Sequence, residues 1–116
     1  MIAEFVIYGE PASKANSRRL VSFRGKPRLI KSSKALNYEK IFREQCPSLD
    51  EPTEEDVEVT LTIYYASRRP DLDESVILDC MQGFIYRNDR QVKVKHVYWG
   101  LDRDNPRAEI SVALLD

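Results

Sequence analysis

Nine consecutive residues, Val57-Glu-Val-Thr-Leu-Thr-Ile-Tyr-Tyr65, alternate apolar and polar without interruption. A period of two places Val57, Val59, Leu61, Ile63 and Tyr65 on one side of an extended strand, a pattern no helix could bury. The chain must therefore build a sheet with one covered face, and the remaining segments supply its parts. Ile2 to Tyr8 is β-branched and aromatic and is stopped by Gly9 and Pro11. Val92 to Trp99 reads as a strand with Val92, Val94, His96 and Tyr98 on one side, and Ala108, Ile110, Val112 and Leu114 mark a last one. A helix is expected from about Lys34 to Gln45, capped by Ser32 or Ser33 and ended by Pro47. It turns Tyr38, Ile41, Phe42 and Cys46 to the sheet and Lys34, Lys40 and Arg43 to water. A second, shorter helix runs from Val76 and is ended by Gly83. The fold class is α+β, a mixed four-stranded sheet with helices packed on one face.

The 116 residues suit one domain, 1–116, with a basic loop at 10–33 and an acidic linker at 47–56. Within the loop, Leu20 to Phe23 and Arg28 to Ile30 around Gly25 can form a small hairpin. The formal net charge of -1 conceals a segregation. From Lys14 to Arg43 there are ten Lys/Arg and one acid, Glu39, whereas Asp50 to Glu58 holds six acids and no base. A long basic loop suits phosphate contacts through Arg18, Arg19, Arg24, Lys26, Arg28 and Lys31, the bland alternative being a solvated surface. The acidic run reads as a solvated linker. Cys46 and Cys80 have no metal-type spacing and read as reduced thiols. No apolar run approaches about 18 residues and no signal-peptide pattern opens the chain, so a cytoplasmic protein without membrane contact is expected.

The covered strand delivers the chain to a polar corner, Arg68-Arg69-Pro70-Asp71-Leu72-Asp73-Glu74-Ser75, and the short helix leads on to Asn88-Asp89-Arg90-Gln91-Val92. In extended backbone Asp71 and Asp73 leave the same side, and a helix that carries the chain back lets Asp89 join them. Three carboxylates beside arginines suit a hard divalent cation and a phosphate. Each aspartate also has an ordinary reading: Asp73 as a helix N-cap, Asp71 paired with Arg68 or Arg69, Asn88-Asp89 as turn chemistry. His96, the only histidine, reads as a packing residue on its strand rather than a catalyst. An EF-hand loop, a phosphate-binding glycine loop and a G-x-S-x-G elbow are absent from the sequence, and no nucleotide cofactor is expected.

The stretch "RRPDLDES…LDCMQGFIYRNDRQV" resembles the RusA family of Holliday-junction resolvases, whose motif runs Arg-Asp-Leu-Asp-Asn, then Leu-Asp-Ala-Leu, then Asp-Asp-x-Gln-Val. The resemblance extends through the opening strand, Gly9-Glu10-Pro11-Ala12-Ser13-Lys14 and the strand-like end. It implies a RusA-like fold and a Mg²⁺-dependent endonuclease, with Mn²⁺ as a substitute, in which Asp71, Asp73 and Asp89 are catalytic metal ligands. Glu74 and Asp79 are second choices as ligands or water-orienting groups. It further implies paired symmetric nicks in four-way branched DNA, made by a homodimer in recombination and repair. Arg68, Arg69, Arg90, Lys93 and Lys95 would contact DNA around the carboxylates, together with Lys14 and the loop cations. The sequence departs from the family at the lysine four residues after the second aspartate, where it has Ile77, and Leu78-Asp79 arrives two residues early. Lys14, Arg69 or Lys93 could carry the missing charge. A branched-DNA-binding dimer without chemistry, and a flap or fork nuclease, are the alternatives.

Overall fold

The computed structural model describes residues 1–12, 18–68 and 72–115. Nine elements follow one another: β1 (Ala3–Tyr8), β2 (Arg18–Phe23), β3 (Lys26–Lys31), α1 (Ser33–Gln45), β4 (Val57–Tyr65), α2 (Glu74–Cys80), a 3-10 turn (Asp89–Gln91), β5 (Val92–Leu101) and β6 (Arg107–Leu114). The main sheet has the order β1-β6-β4-β5. β6 runs antiparallel to both β1 and β4, and β4 and β5 are parallel, so the sheet is mixed, as expected. A parallel pair needs a long crossover, and residues 66–91, with α2 inside them, provide it. The loop that holds the aspartates is thus the connection the topology demands.

β4 behaves as its alternation dictates. Val57, Val59, Leu61, Ile63 and Tyr65 are each fully buried, and the intervening residues are half-exposed. They meet Tyr38 and Phe42 from α1, Ile77, Leu78 and Cys80 from α2, and Met81, Ile85 and Tyr86 beyond it. Each large apolar side chain so enclosed contributes about 1.5–3 kcal/mol. α2 has only seven residues, too few to persist on its own in water, so this packing is what holds it. Tyr86 donates its hydroxyl hydrogen bond to the Leu78 carbonyl and ties down the helix end.

Ser32 caps α1 by accepting from the Ala35 amide, as its sequence signal indicated. The buried face differs from the expected one: Tyr38 and Phe42 are enclosed with Ala35 and Glu39, whereas Ile41 and Cys46 are only half-buried. Glu39, 5 % exposed, is tolerated because Lys31 of β3 pairs with it. The segment read as a loop at 10–33 contains a full two-stranded ribbon, β2 with β3, longer than the hairpin expected. Its two-residue turn has positive φ at both positions, Arg24 at 52° and Gly25 at 76°, the combination that matches the twist of the flanking strands.

The acids of the run at 47–56 are exposed, as expected of a solvated linker, and its backbone is also stitched into the fold. Leu49 donates to the Phe84 carbonyl, Thr53 donates to that of Ile85, and Arg87 donates back to Thr53. The face assignment on β5 fails, because Val57 opposes Val92 while Glu58 opposes Val94. That register shift is a β-bulge, and one extra residue sends every later side chain to the other face. Val94, His96 and Tyr98 therefore share the uncovered face with Glu58, Thr60 and Thr62, and Lys95, Val97 and Trp99 share the helix-covered face. His96 is exposed and its Nε2 lies 2.9 Å from a Glu58 carboxylate oxygen, so it is a surface pair and not a packing residue.

Candidate active site

The site is assembled around α2. Asp73 occupies the N-cap position, but its carboxylate makes no capping hydrogen bond. The Tyr65 hydroxyl at the end of β4 instead donates to Asp73 Oδ2 at 2.8 Å and accepts from the Asp73 amide at 3.1 Å. Both residues are buried, Asp73 to 2 % exposure. The strand that organises the core thus also fixes the position of a carboxylate eight residues further on. The period-two alternation places Tyr65 only in the core, and the need of a buried phenol for a hydrogen-bond partner is the signal that points beyond it.

Asp89 is exposed at the start of the 3-10 turn and is held from two directions. Its amide donates to Gln82 Oε1 at 3.0 Å, and Gln82 Nε2 in turn donates to Asp79 Oδ1 at 2.7 Å. Asp79 therefore acts on Asp89 through Gln82. The turn itself is closed by a reciprocal cap in which Asn88 accepts from the Arg90 amide at 2.9 Å and Gln91 Oε1 accepts from the Asn88 amide at 2.9 Å. Gln91 Nε2 donates to the carbonyls of Thr53 and Glu55, both at 2.8 Å, so the acidic segment braces the turn. This explains why the Asn-Asp-x-Gln pattern carries structural meaning: its glutamine serves four backbone groups.

A pocket of about 280 Å³ opens beside this turn, lined by Ser75, Leu78, Asp89, Val92, Lys93 and Lys95. Lys95 Nζ stands 3.9 Å from Glu74 Oε2, which brings the helix start next to the pocket that contains Asp89. Lys95 thus links Glu74, the residue after Asp73, with the pocket that Asp89 lines. Arg68 and Arg90 are exposed nearby in sequence. Arg19, Arg24, Lys26 and Arg28 are exposed on the ribbon, whereas Lys31 is engaged by Glu39. Lys14, Arg69 and Asp71 lie outside the described residues, as does the side chain of Arg18.

A family profile described as Endodeoxyribonuclease RusA matches residues 9–113. The chain belongs to the RusA family. No curated protein matches the sequence. The match spans both aspartate-bearing segments and the strands β4 and β5 that flank them, and the mixed four-stranded architecture agrees with a RusA-like fold. RusA membership supports a DNA nuclease, a hydrolase, whose family activity is Holliday-junction resolution on branched DNA. Among the described residues no helix is long and apolar enough to cross a membrane.

RusA nucleases are generally dependent on divalent metal. Among the described residues no three His, Cys, Asp or Glu side chains converge as a metal site, Asp71 being outside them. The donors present are carboxylates with no thiol or imidazole beside them, which fits a hard, oxygen-seeking cation. Burial pushes both thiols up, Cys80 to about 11 and Cys46 to about 12, which leaves them protonated at neutral pH.

Proposed function

We propose that this protein is a Mg²⁺-dependent, structure-selective endonuclease that resolves four-way DNA junctions by paired symmetric nicks. The reading rests above all on the way Tyr65 and Gln82 separately fix Asp73 and Asp89 on either side of α2. A carboxylate held by its own hydrogen bond at Asp73, and a backbone held in place at Asp89, are the kind of preorganisation a metal-assisted phosphodiester hydrolysis requires. Asp71, Asp73 and Asp89 would hold the ion, with Mn²⁺ as a substitute, and Glu74 or Asp79 would be an extra ligand or water-orienting group. When bound, the cation polarises the scissile phosphate and supplies hydroxide from its water. The protein's own part is to orient the carboxylates and hold the phosphate chain with cations. Arg18, Arg19, Arg24, Lys26 and Arg28 on the ribbon, with Lys14, Arg68, Arg69 and Arg90, would bind the DNA arms. Two nicks across a symmetric junction call for two such sites, hence a homodimer.

Asp71→Asn, Asp73→Asn and Asp89→Asn are each expected to abolish nicking of a synthetic four-way junction while preserving or tightening binding. Each substitution removes a ligand and also a charge that repels phosphate. Variants that cut at near-normal rate would refute the metal assignment. A second reading, a branched-DNA binder without chemistry, is favoured by the fully buried Ile77, which leaves α2 without a lysine. Tight junction binding with no nicking in Mg²⁺, and no change on adding chelator, would establish it.

A further inference from the structure

α2 contributes no cation to the pocket, since its seven residues are Glu-Ser-Val-Ile-Leu-Asp-Cys. The pocket nevertheless has two ammonium-bearing walls, both from β5. Their presence there follows from the bulge. In an uninterrupted register with Val57 opposite Val92, Lys95 would face the open side of the sheet with Glu58 and Thr60. The shift that sets Glu58 opposite Val94 turns Lys95 to the face of Val59, under the helices. Bulges next to active sites commonly re-aim a side chain in this way. Lys95 remains 52 % exposed, so its ammonium is solvated and accessible to a ligand. It stands between the carboxylate that follows Asp73 and the pocket wall that includes Asp89.

We infer that Lys95 is a catalytic residue that donates to a non-bridging oxygen of the scissile phosphate, delivered to the carboxylates by the β5 bulge. This rests on the nuclease reading above. Carboxylates that gather a metal also repel the substrate phosphodiester, and charge accumulates on the non-bridging oxygens as water adds to phosphorus. An ammonium at that position stabilises the attacked phosphate once the bound junction covers the cleft. No proton moves to or from Lys95 in this step. Glu74 holds the ammonium on the helix side in the absence of DNA, and the phosphate takes over that contact when the junction binds. Lys93, the extra residue of the bulge, is a general electrostatic contact to the DNA arm.

The test compares Lys95→Gln, Lys95→Arg and Lys93→Gln with the unmodified chain. Junction affinity is measured in Ca²⁺ by titration, single-turnover nicking is measured in Mg²⁺, and circular dichroism checks the fold. Loss of one transition-state contact of this kind lowers the rate by about 100-fold or more. Lys95→Gln is expected to show that loss with affinity changed by no more than a few-fold, and Lys95→Arg to recover most of the rate. Lys93→Gln is expected to weaken binding. A Lys95→Gln chain that nicks within a few-fold of normal, or an arginine variant as inactive as the glutamine one, overturns the assignment while leaving the nuclease reading intact. Absence of nicking by the unmodified chain overturns both.

Discussion

Replacing Tyr65 with phenylalanine removes one oxygen atom and isolates the link between the core and the candidate site. The ring and its stacking on Trp99, with centroids 6.5 Å apart, are retained. What is lost is a hydroxyl that donates to Asp73 Oδ2 at 2.8 Å and accepts from the Asp73 amide at 3.1 Å. A hydrogen bond to a charged group contributes about 1.5–3 kcal/mol and a neutral one about 0.5–1.5 kcal/mol. Asp73 is 2 % exposed, so water replaces neither partner easily. Tyr65→Phe is therefore expected to destabilise the fold by about 2–4 kcal/mol. Urea unfolding followed by the fluorescence of Trp99, the only tryptophan, measures the change, with an unaltered slope showing that the unfolded state is unchanged. Tyr38→Phe is the internal control. The Tyr38 hydroxyl is buried with no hydrogen-bond partner among the described residues, and burial pushes its pKa up. Its removal should change stability by less than about 0.5 kcal/mol, or increase it. Equal effects from the two substitutions would refute the claim that the Tyr65 hydroxyl anchors Asp73.

Alanine in place of Arg18, Arg19, Arg24 and Arg28 should weaken binding to all branched substrates alike. Each lost phosphate contact should lower the log–log salt slope by roughly 0.9, and an unchanged slope in titrations at several salt concentrations would make the ribbon a solvated surface. His96→Gln should nick at nearly the normal rate per folded protein, because His96 pairs with Glu58 on the sheet face opposite the site; a loss of several orders of magnitude without unfolding would contradict this. With thiol pKa values pushed up to about 11 and about 12, Cys80 and Cys46 should be only ~0.1 % thiolate or less at pH 8. Both should therefore resist iodoacetamide at pH 8 until urea unfolds the chain, as mass spectrometry would show.

Periodicity carried much of the architecture. The nine-residue alternation of β4 specified both its direction of burial and the need for a helical layer, because only one face of a period-two strand can be covered by this sequence. The Ser32 cap and the α1 helix were equally local and equally legible, as were the two aspartate-bearing segments and the RusA pattern they form. What local pattern does not contain is register. The bulge at the start of β5 is one residue in a pairing between strands 35 positions apart, and it reverses the faces of His96 and Lys95. The same limit applies to Glu39, whose burial depends on Lys31 arriving from the ribbon. Gln91 is likewise unreadable locally, since two of its four backbone partners lie in the acidic run. The sequence by itself determined which carboxylates this protein offers and that a covered sheet presents them. Tertiary structure decided which hydroxyl, amide and ammonium groups hold and face them, because those contacts join strands and turns whose separation along the chain no local periodicity can encode.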